Sequence, residues 1–452
     1  MDPLTTTALG HDLDTTWVII AGALVMFMQA GFACLELGFS RGKNVGAVVA
    51  KILLNFATVT VVWWVCGFAM GFGGAGWLAG ESGFFLTFGH TIADGSAIAG
   101  AVDGHGLAFA FFQLVFCAVS LAIVWGTTLE RMRFVAYPIY SVVFAGVIYP
   151  LVAHWIFGGG WLADIGEGVQ DFAGSTVVHL TGATGALAAV LLLGPRRGKY
   201  GPDGRPRAIP GHSMPLFGLG VLILWLGWFG FNAGSTLSAA DGRIGEIVFV
   251  TNLAAAAGAL TAAATAALRT GSVDVGMTGN GAIAALVAIT APSGFVELWA
   301  APIIGGVAGV IVVVSVLAID RWLDDPVGAL SAHGIAGIWG TLSCGLFASP
   351  RLVGGPDTVG DPGFFYTGSL TQLGVQAVGV AAAFVVVFTL SYLTFGAIKA
   401  TFGLRVSADE EDEGLDIAEH GMYGYPEQFI PATGGDLLSS AGVAHAGGHG
   451  GD

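Results

Sequence analysis

Two stretches of the chain carry the same pair of groups at the same interval. They are Asp171-Phe-Ala-Gly-Ser-Thr-Val-Val-His179 and Asp325-Pro-Val-Gly-Ala-Leu-Ser-Ala-His333. On a helix, a carboxylate and an imidazole so spaced lie about 12 Å apart along the axis. Each stretch opens an apolar run, so in a bilayer both histidines would sit at depth. Ionisable groups there are costly and mark substrate or proton paths. Of the ten histidines, only these two lie well inside apolar segments. His90, His105, His154 and His212 fall near ends or in loops, and His420, His445 and His449 in the tail. A lone intramembrane histidine can be a polar link between helices, whereas two at matched positions favour function. A neutral pair offers one ring nitrogen as donor and another as acceptor. It could hold a small polar solute or pass a proton in a low-dielectric passage. Metal binding is the competing chemistry, but no Cys, Glu or Asp stands at helical spacing beside either ring. Asp171 reads as a helix cap, worth about 1 kcal/mol. It would also stabilise a cation arriving at an external mouth. Phe109, Phe111, Phe112 and Phe116 crowd one segment, and Trp228, Phe229 and Phe231 another. Most are packing, but a subset facing a passage would attract a monovalent cation, worth about 0.5–2 kcal/mol.

The elements that must position these groups follow from composition. The chain is 54% hydrophobic and 10% charged, far below the roughly 25% charge of a soluble domain. That excludes a large soluble enzyme and predicts an all-α polytopic membrane protein, with glycines at close helix contacts. Eleven apolar segments stand out, at about 17–38, 45–72, 106–127, 133–156, 174–194, 213–237, 246–268, 279–294, 298–319, 328–349 and 370–400. Residues 1–16 form an external N-terminal segment without the Lys or Arg of a signal peptide. The net charge of −15 argues against a nucleic-acid partner, and the acidic excess also fits a high-salt cytoplasm. Cys34, Cys66, Cys117 and Cys344 lack metal spacing and read as small core residues, with no disulfide.

Basic residues then orient the chain. Arg41, Lys43, Arg131, Arg133, Arg196, Arg197, Lys199, Arg205, Arg207, Arg269, Arg321, Lys399 and Arg405 all follow odd-numbered segments. The positive-inside rule puts the N-terminus outside and the C-terminus in the cytoplasm. The loop from Gly73 to His105, free of Lys and Arg, is then external. Segments five and ten occupy the same place in two five-helix halves, about 17–194 and 213–349, of inverted topology. Such repeats place a substrate site near the bilayer midplane. The remaining helix, 370–400, completes a transport domain over 17–400. A tail at 401–430 is acidic, and the Gly- and His-rich end at 431–452 has no apolar period and reads as disordered.

The residues also match a family. Asp171 to His179, Gly227-Trp-Phe-Gly-Phe-Asn-Ala-Gly-Ser235 and Asp324-Asp-Pro through His333-Gly resemble the ammonium transporter (Amt) branch of the Amt/Mep/Rh family. Phe112-Gln through Phe116, Glu130-Arg-Met-Arg-Phe134 and Gly403-Leu-Arg-Val406 fit as well, over about residues 15–426. The resemblance implies a homotrimer in the cell membrane with one pore per subunit, no cofactor and no enzymatic activity. It implies that His179 and His333 are the pore's twin histidines and that Phe116 and Phe231 gate it. Phe157, Ser235 and Asp171 then belong to external ammonium recruitment, with Asp171 supporting deprotonation, and Trp228 to substrate binding. The family places a Trp before its Gly-Gly-Gly run, and here Phe157 precedes Gly158-Gly-Gly160. Phe has a weaker ring face and no N–H donor, so Trp155 or Trp161 would have to compensate. Glu413-Gly-Leu-Asp416 to Tyr425-Pro resembles a segment that docks under a neighbouring subunit and supports pore block by a PII signalling protein. The implied function is ammonium transport by deprotonation and ammonia conduction. A Rh-like gas channel and an ammonium sensor are the alternatives, and a sensor's usual fused signalling domain is not expected in the short segment after 400.

Overall fold

The structure is a computed structural model that describes residues 6–74, 76–86, 104–240, 242–353 and 358–429. His90, His445, His449 and the 431–452 end lie outside the described residues, as does most of the 73–105 loop. The principal helices are α1 (Thr6–Phe39), α2 (Val45–Val62, continued through Trp63–Gly67 to Phe68–Phe72) and α3 (Gly104–Thr127). Next come α4 (Ala136–Val143, continued through Phe144–Ile148 to Tyr149–Ile156) and α5 (Ser175–Leu180 followed by Thr181–Leu193). Then follow α6 (Met214–Gly234), α7 (Ile244–Thr270), α8 (Val275–Thr290) and α9 (Ala300–Ile319). The set closes with α10 (Leu330–Ile335 followed by Ala336–Phe347) and α11 (Thr371–Thr401). Among the described residues nine of these are long and apolar enough to cross a membrane, all but α8 and α10. The chain is thus an all-helical, multi-pass membrane protein.

The first helix begins at Thr6, well before the expected edge at 17. Its polar start is helical as well, and the hydroxyls of Thr15 and Thr16 are satisfied within it, donating to the carbonyls of His11 and Asp12 one turn back. In the bundle, α1 packs chiefly on α6 and α3, α7 on α8 and α9, and α11 on α5 and α10. Small residues set the closest crossings. A Cβ on Gly305 of α9 would overlap the Ala254 carbonyl oxygen of α7. Gly305→Ala is therefore expected to lower stability by about 1–3 kcal/mol, read as a lower melting temperature of the purified protein.

The basic loops gather at one end of the bundle. Glu130, after α3, accepts from Arg41 N (2.6 Å) and Arg41 Nε (2.8 Å) after α1 and pairs with Arg196 after α5 (3.5 Å). Arg196 also forks onto Asp324, with both bonds at 2.9 Å, and Arg131 donates to the Asp324 carbonyl. Burial by itself would raise the Asp324 carboxyl. Arg196 and Arg131 override it and hold it at about 2. The stability it contributes is present above its ordinary pKa and lost only as pH falls toward 2. At the other end, Arg351 after α10 meets Glu297 at 2.8 Å and also pairs with Glu246.

The tail is ordered through its acidic run. Ala408–Glu413 (α12) carries a capping box between Ser407 and Glu410. Glu411 is buried and pairs with Arg405 at 2.6 Å. Leu415–Ala418 (α13) docks under the chain's own α2: Ala47 N donates to Asp416 at 2.9 Å and Leu415 N to Asn44 at 2.9 Å. Farther on, Tyr425 meets His212 at 3.0 Å. The acidic run is a docked surface, because basic groups on the loops after α1, α5 and α11 neutralise it.

Candidate functional site

Both Asp-to-His stretches fold alike. Asp171 Oδ1 accepts from the N–H groups of Gly174 (2.9 Å) and Ser175 (2.7 Å), and Oδ2 from those of Thr176 (2.9 Å) and Val177 (3.0 Å). Asp325 accepts from Val327, Gly328 and Leu330 in the same way, at 3.3, 2.9 and 2.8 Å. The third residue after each Asp is a glycine with positive φ, +115° at Gly174 and +76° at Gly328. That left-handed step, costly for other residues, folds the N–H groups back onto the carboxylate. Asp171 thus caps the start of α5 from three residues before Gly174, the residue that flanks the helix. Its own carboxylate is 4% exposed, so its four bonds go to backbone.

Each cap opens a π-helical turn, Ser175–Leu180 and Leu330–Ile335, and each turn holds a histidine. Such turns hold an extra residue and redirect side chains, often at functional sites. Here they bring His179 and His333 ring to ring, with Nδ1 atoms 3.2 Å apart and centroids at 5.3 Å. One Nδ1 must carry a hydrogen and the other accept it. His179 Nε2 has no partner among the described residues. No group of three or more His, Cys, Asp or Glu that could hold a metal occurs among the described residues.

Aromatic rings extend this pair into a column. His179 stacks on Trp228 at 5.2 Å and on Phe231 at 5.5 Å. Phe231 stacks on Phe116 at 4.0 Å with only 16° between planes, and Phe116 meets Phe112 at 4.6 Å. Beyond His333 lies Phe32, at 6.3 Å. Phe116 and Phe231 are 1% and 0% exposed, so the column is closed at that pair. Trp228 is fixed by its N–H, which donates to Thr290 at 2.8 Å. Ser235 lies one turn beyond Phe231, half-buried, and its hydroxyl donates to the Phe231 carbonyl at 2.9 Å.

A model of the Ammonium Transporter Family matches residues 16–425. The chain belongs to that family. Similar proteins include "Ammonium transporter Amt2" of Archaeoglobus fulgidus, 46% identical over 93% of this chain and 90% of the relative. "Ammonium transporter Amt1" of Haloferax mediterranei is 36% identical over 95% of this chain and 82% of its own. Among solved structures, the "Sensor Amt Protein" is 34% identical with a TM-score of 0.84, covering 92% of this chain and 100% of that one. Candida albicans Mep2 is 30% identical, with a TM-score of 0.80 over 94% and 93%. The relatives in this Ammonium Transporter Family are named as transporters, not enzymes.

Phe157 stands apart from the column. It is half-buried at the end of α4 and joins no ring pair among the described residues. Trp155 donates to the Leu78 carbonyl at 2.9 Å and packs edge-on against Trp161 at 5.6 Å. Both indoles are thus spent on the 76–80 loop and on each other. His154, expected near a segment end, sits in the last turn of α4 as fully buried as the histidine pair. It bonds the carbonyls of Gly71 and Gly76, and so fastens a loop. The sequence reading passed over Glu36, which forms a buried ion pair with Lys51. A charge within an apolar segment was signal enough to find it.

Proposed function

We propose that the chain is a cell-membrane ammonium transporter, which recruits ammonium externally, deprotonates it and conducts ammonia past His179 and His333. The observation that carries this reading is the pair of capped histidines meeting Nδ1 to Nδ1 at 3.2 Å beneath the closed Phe116–Phe231 pair. Potassium matches ammonium in charge and size but has no proton to lose, so a closed, His-lined apolar passage discriminates by chemistry. Ammonium meets Ser235 and the Phe116–Phe231 pair first, with Phe157 at the margin and Trp228 beside His179 beyond that pair, while the anion held at Asp171 favours a cation at the mouth. The topology of the reading is eleven spans in an inverted five-plus-five repeat, N-terminus outside and tail in the cytoplasm. The clustering of basic loops at one end supports that orientation. A homotrimer, and a PII signalling protein at the docked tail, are the partners this reading expects. Likeness to the "Sensor Amt Protein" favours a second reading, an ammonium sensor that moves little substrate. Proteoliposome electrophysiology under ammonium and potassium gradients separates them. An ammonium-specific current supports transport with separate proton transfer. Ammonia flux without current favours a gas channel, and binding without either favours a sensor.

A further inference from the structure

One buried ion pair has no part in the reading above. Glu36 lies one turn after Phe32 on α1, on the face that meets His333. It is 1% exposed. With His333, Asn280, Gly126 and Val327 it lines a cavity of about 20 Å³, room for one water-sized molecule. Its Oε1 has no hydrogen-bond partner among the described residues and lies 3.7 Å from where a Cβ on Gly126 would stand. Its Oε2 pairs with Lys51 of α2, whose Nζ also donates to the Trp125 carbonyl at 2.9 Å.

Lys51 in turn lines a second small cavity with Glu130, Tyr137, Glu419 and His420. His420 packs edge-on against Phe134 at 4.7 Å, and its Nε2 has no hydrogen-bond partner among the described residues. The ion pair therefore stands between two cavities, one reaching His333 and the other reaching the docked tail. The titratable and charged groups around it are His333 of α10, Tyr137 of α4, Glu130 and Arg131 of the α3–α4 loop, and Glu419 and His420 of the tail. Apolar side chains of equal volume would hold α1 to α2 at least as well as a buried pair. Ionisable groups inside a membrane bundle point to function.

We propose that Glu36 and Lys51 form the inner proton relay of the transporter. The proposal rests on the reading that the histidine pair carries a proton. Once the histidine pair has taken up a proton and become an imidazolium, an N–H bond of His333 breaks, the pair returns to neutral, and a water in the upper cavity passes the proton on. An O–H bond then forms at Glu36 Oε1. Lys51 releases one of its own protons to water in the lower cavity and takes back the one on Glu36. One proton enters, one leaves, and the pair returns to its starting state. Ammonia and the proton thus part below His333.

The test uses the full-length protein in proteoliposomes. Ammonium chloride pulses on a solid-supported membrane read current, and an internal pH dye reads ammonia entry. The variant Glu36→Gln/Lys51→Met keeps both positions neutral and leaves no buried charge unpaired. Its ammonium current is expected to fall about a hundredfold or more, with ammonia entry and melting temperature retained. Glu36→Asp, which keeps the carboxylate, restores part of the current. Gly126→Ala, which places a methyl 2.8 Å from Val327 Cγ2 in the upper cavity, gives the same split without changing either charge of the pair. A wild-type current in the double variant overturns the relay. So does joint loss of current and ammonia entry in a folded double variant, which makes the pair part of the passage. If the unmutated protein passes ammonia but no current, the histidine reading fails first and the relay falls with it.

Discussion

His179→Ala is expected to cut the ammonium-evoked current of proteoliposomes by about a hundredfold or more, the lower range of general acid–base contributions. The ring stands mid-column, against Phe231, Trp228 and His333 at once. Removing it leaves His333 Nδ1 without its partner and opens a gap lined by polar and aromatic atoms. Water entering that gap would let potassium follow, so selectivity over potassium should fall together with current. His333→Ala removes the other half of the same bond and is expected to match it within an order of magnitude. Current and selectivity unchanged in both variants, measured on the same preparation, would remove proton handling from the pair.

Asp171→Ala is expected to be the most damaging substitution for folding. It strips the acceptor from four buried N–H groups, those of Gly174, Ser175, Thr176 and Val177. Each orphaned group costs about 1–3 kcal/mol, so the sum approaches the roughly 5–15 kcal/mol that holds a typical protein folded. Asp325→Ala orphans three groups at a half-buried site where water can substitute. It should be milder. Size-exclusion profiles and melting temperatures of the two variants check the order. An Asp171→Ala protein as monodisperse and heat-stable as the parent would show that the cap carries little of the fold.

Much of this was legible in the sequence. Long apolar runs broken by basic loops give helices and their grouping, because backbone groups in lipid must bond within their own helix. The Asp-to-His interval located the pair, since two carboxylates and two imidazoles in so apolar a chain are rare. Spacing could not show the π-helical turns at Ser175–Leu180 and Leu330–Ile335, because no periodicity encodes a surplus residue in a turn. The start of α1 was missed because its polar first turns lack an apolar face while remaining compatible with a helix. The acidic run at 409–413 carries no signal by itself because its basic partners, Arg197 and Arg405, arrive from elsewhere in the chain. Glu36 and Lys51 went unpaired for the same reason: only the fold brings one helix's carboxylate to the next helix's ammonium.

The π-helical turns have a consequence for how these two stretches can change over time. Successive residues of a helix step round its axis by about 100°, and each turn's surplus residue sets where its imidazole points. Deleting one residue between Asp171 and His179 would restore ordinary winding and swing His179 away from its partner, with its cap intact. The same loss between Asp325 and His333 would do likewise from the other side. Length in these stretches is therefore a gauge as strict as any side chain. Apart from the glycine three residues after each Asp, chains that keep both rings facing should vary more readily in the letters between Asp and His than in their number.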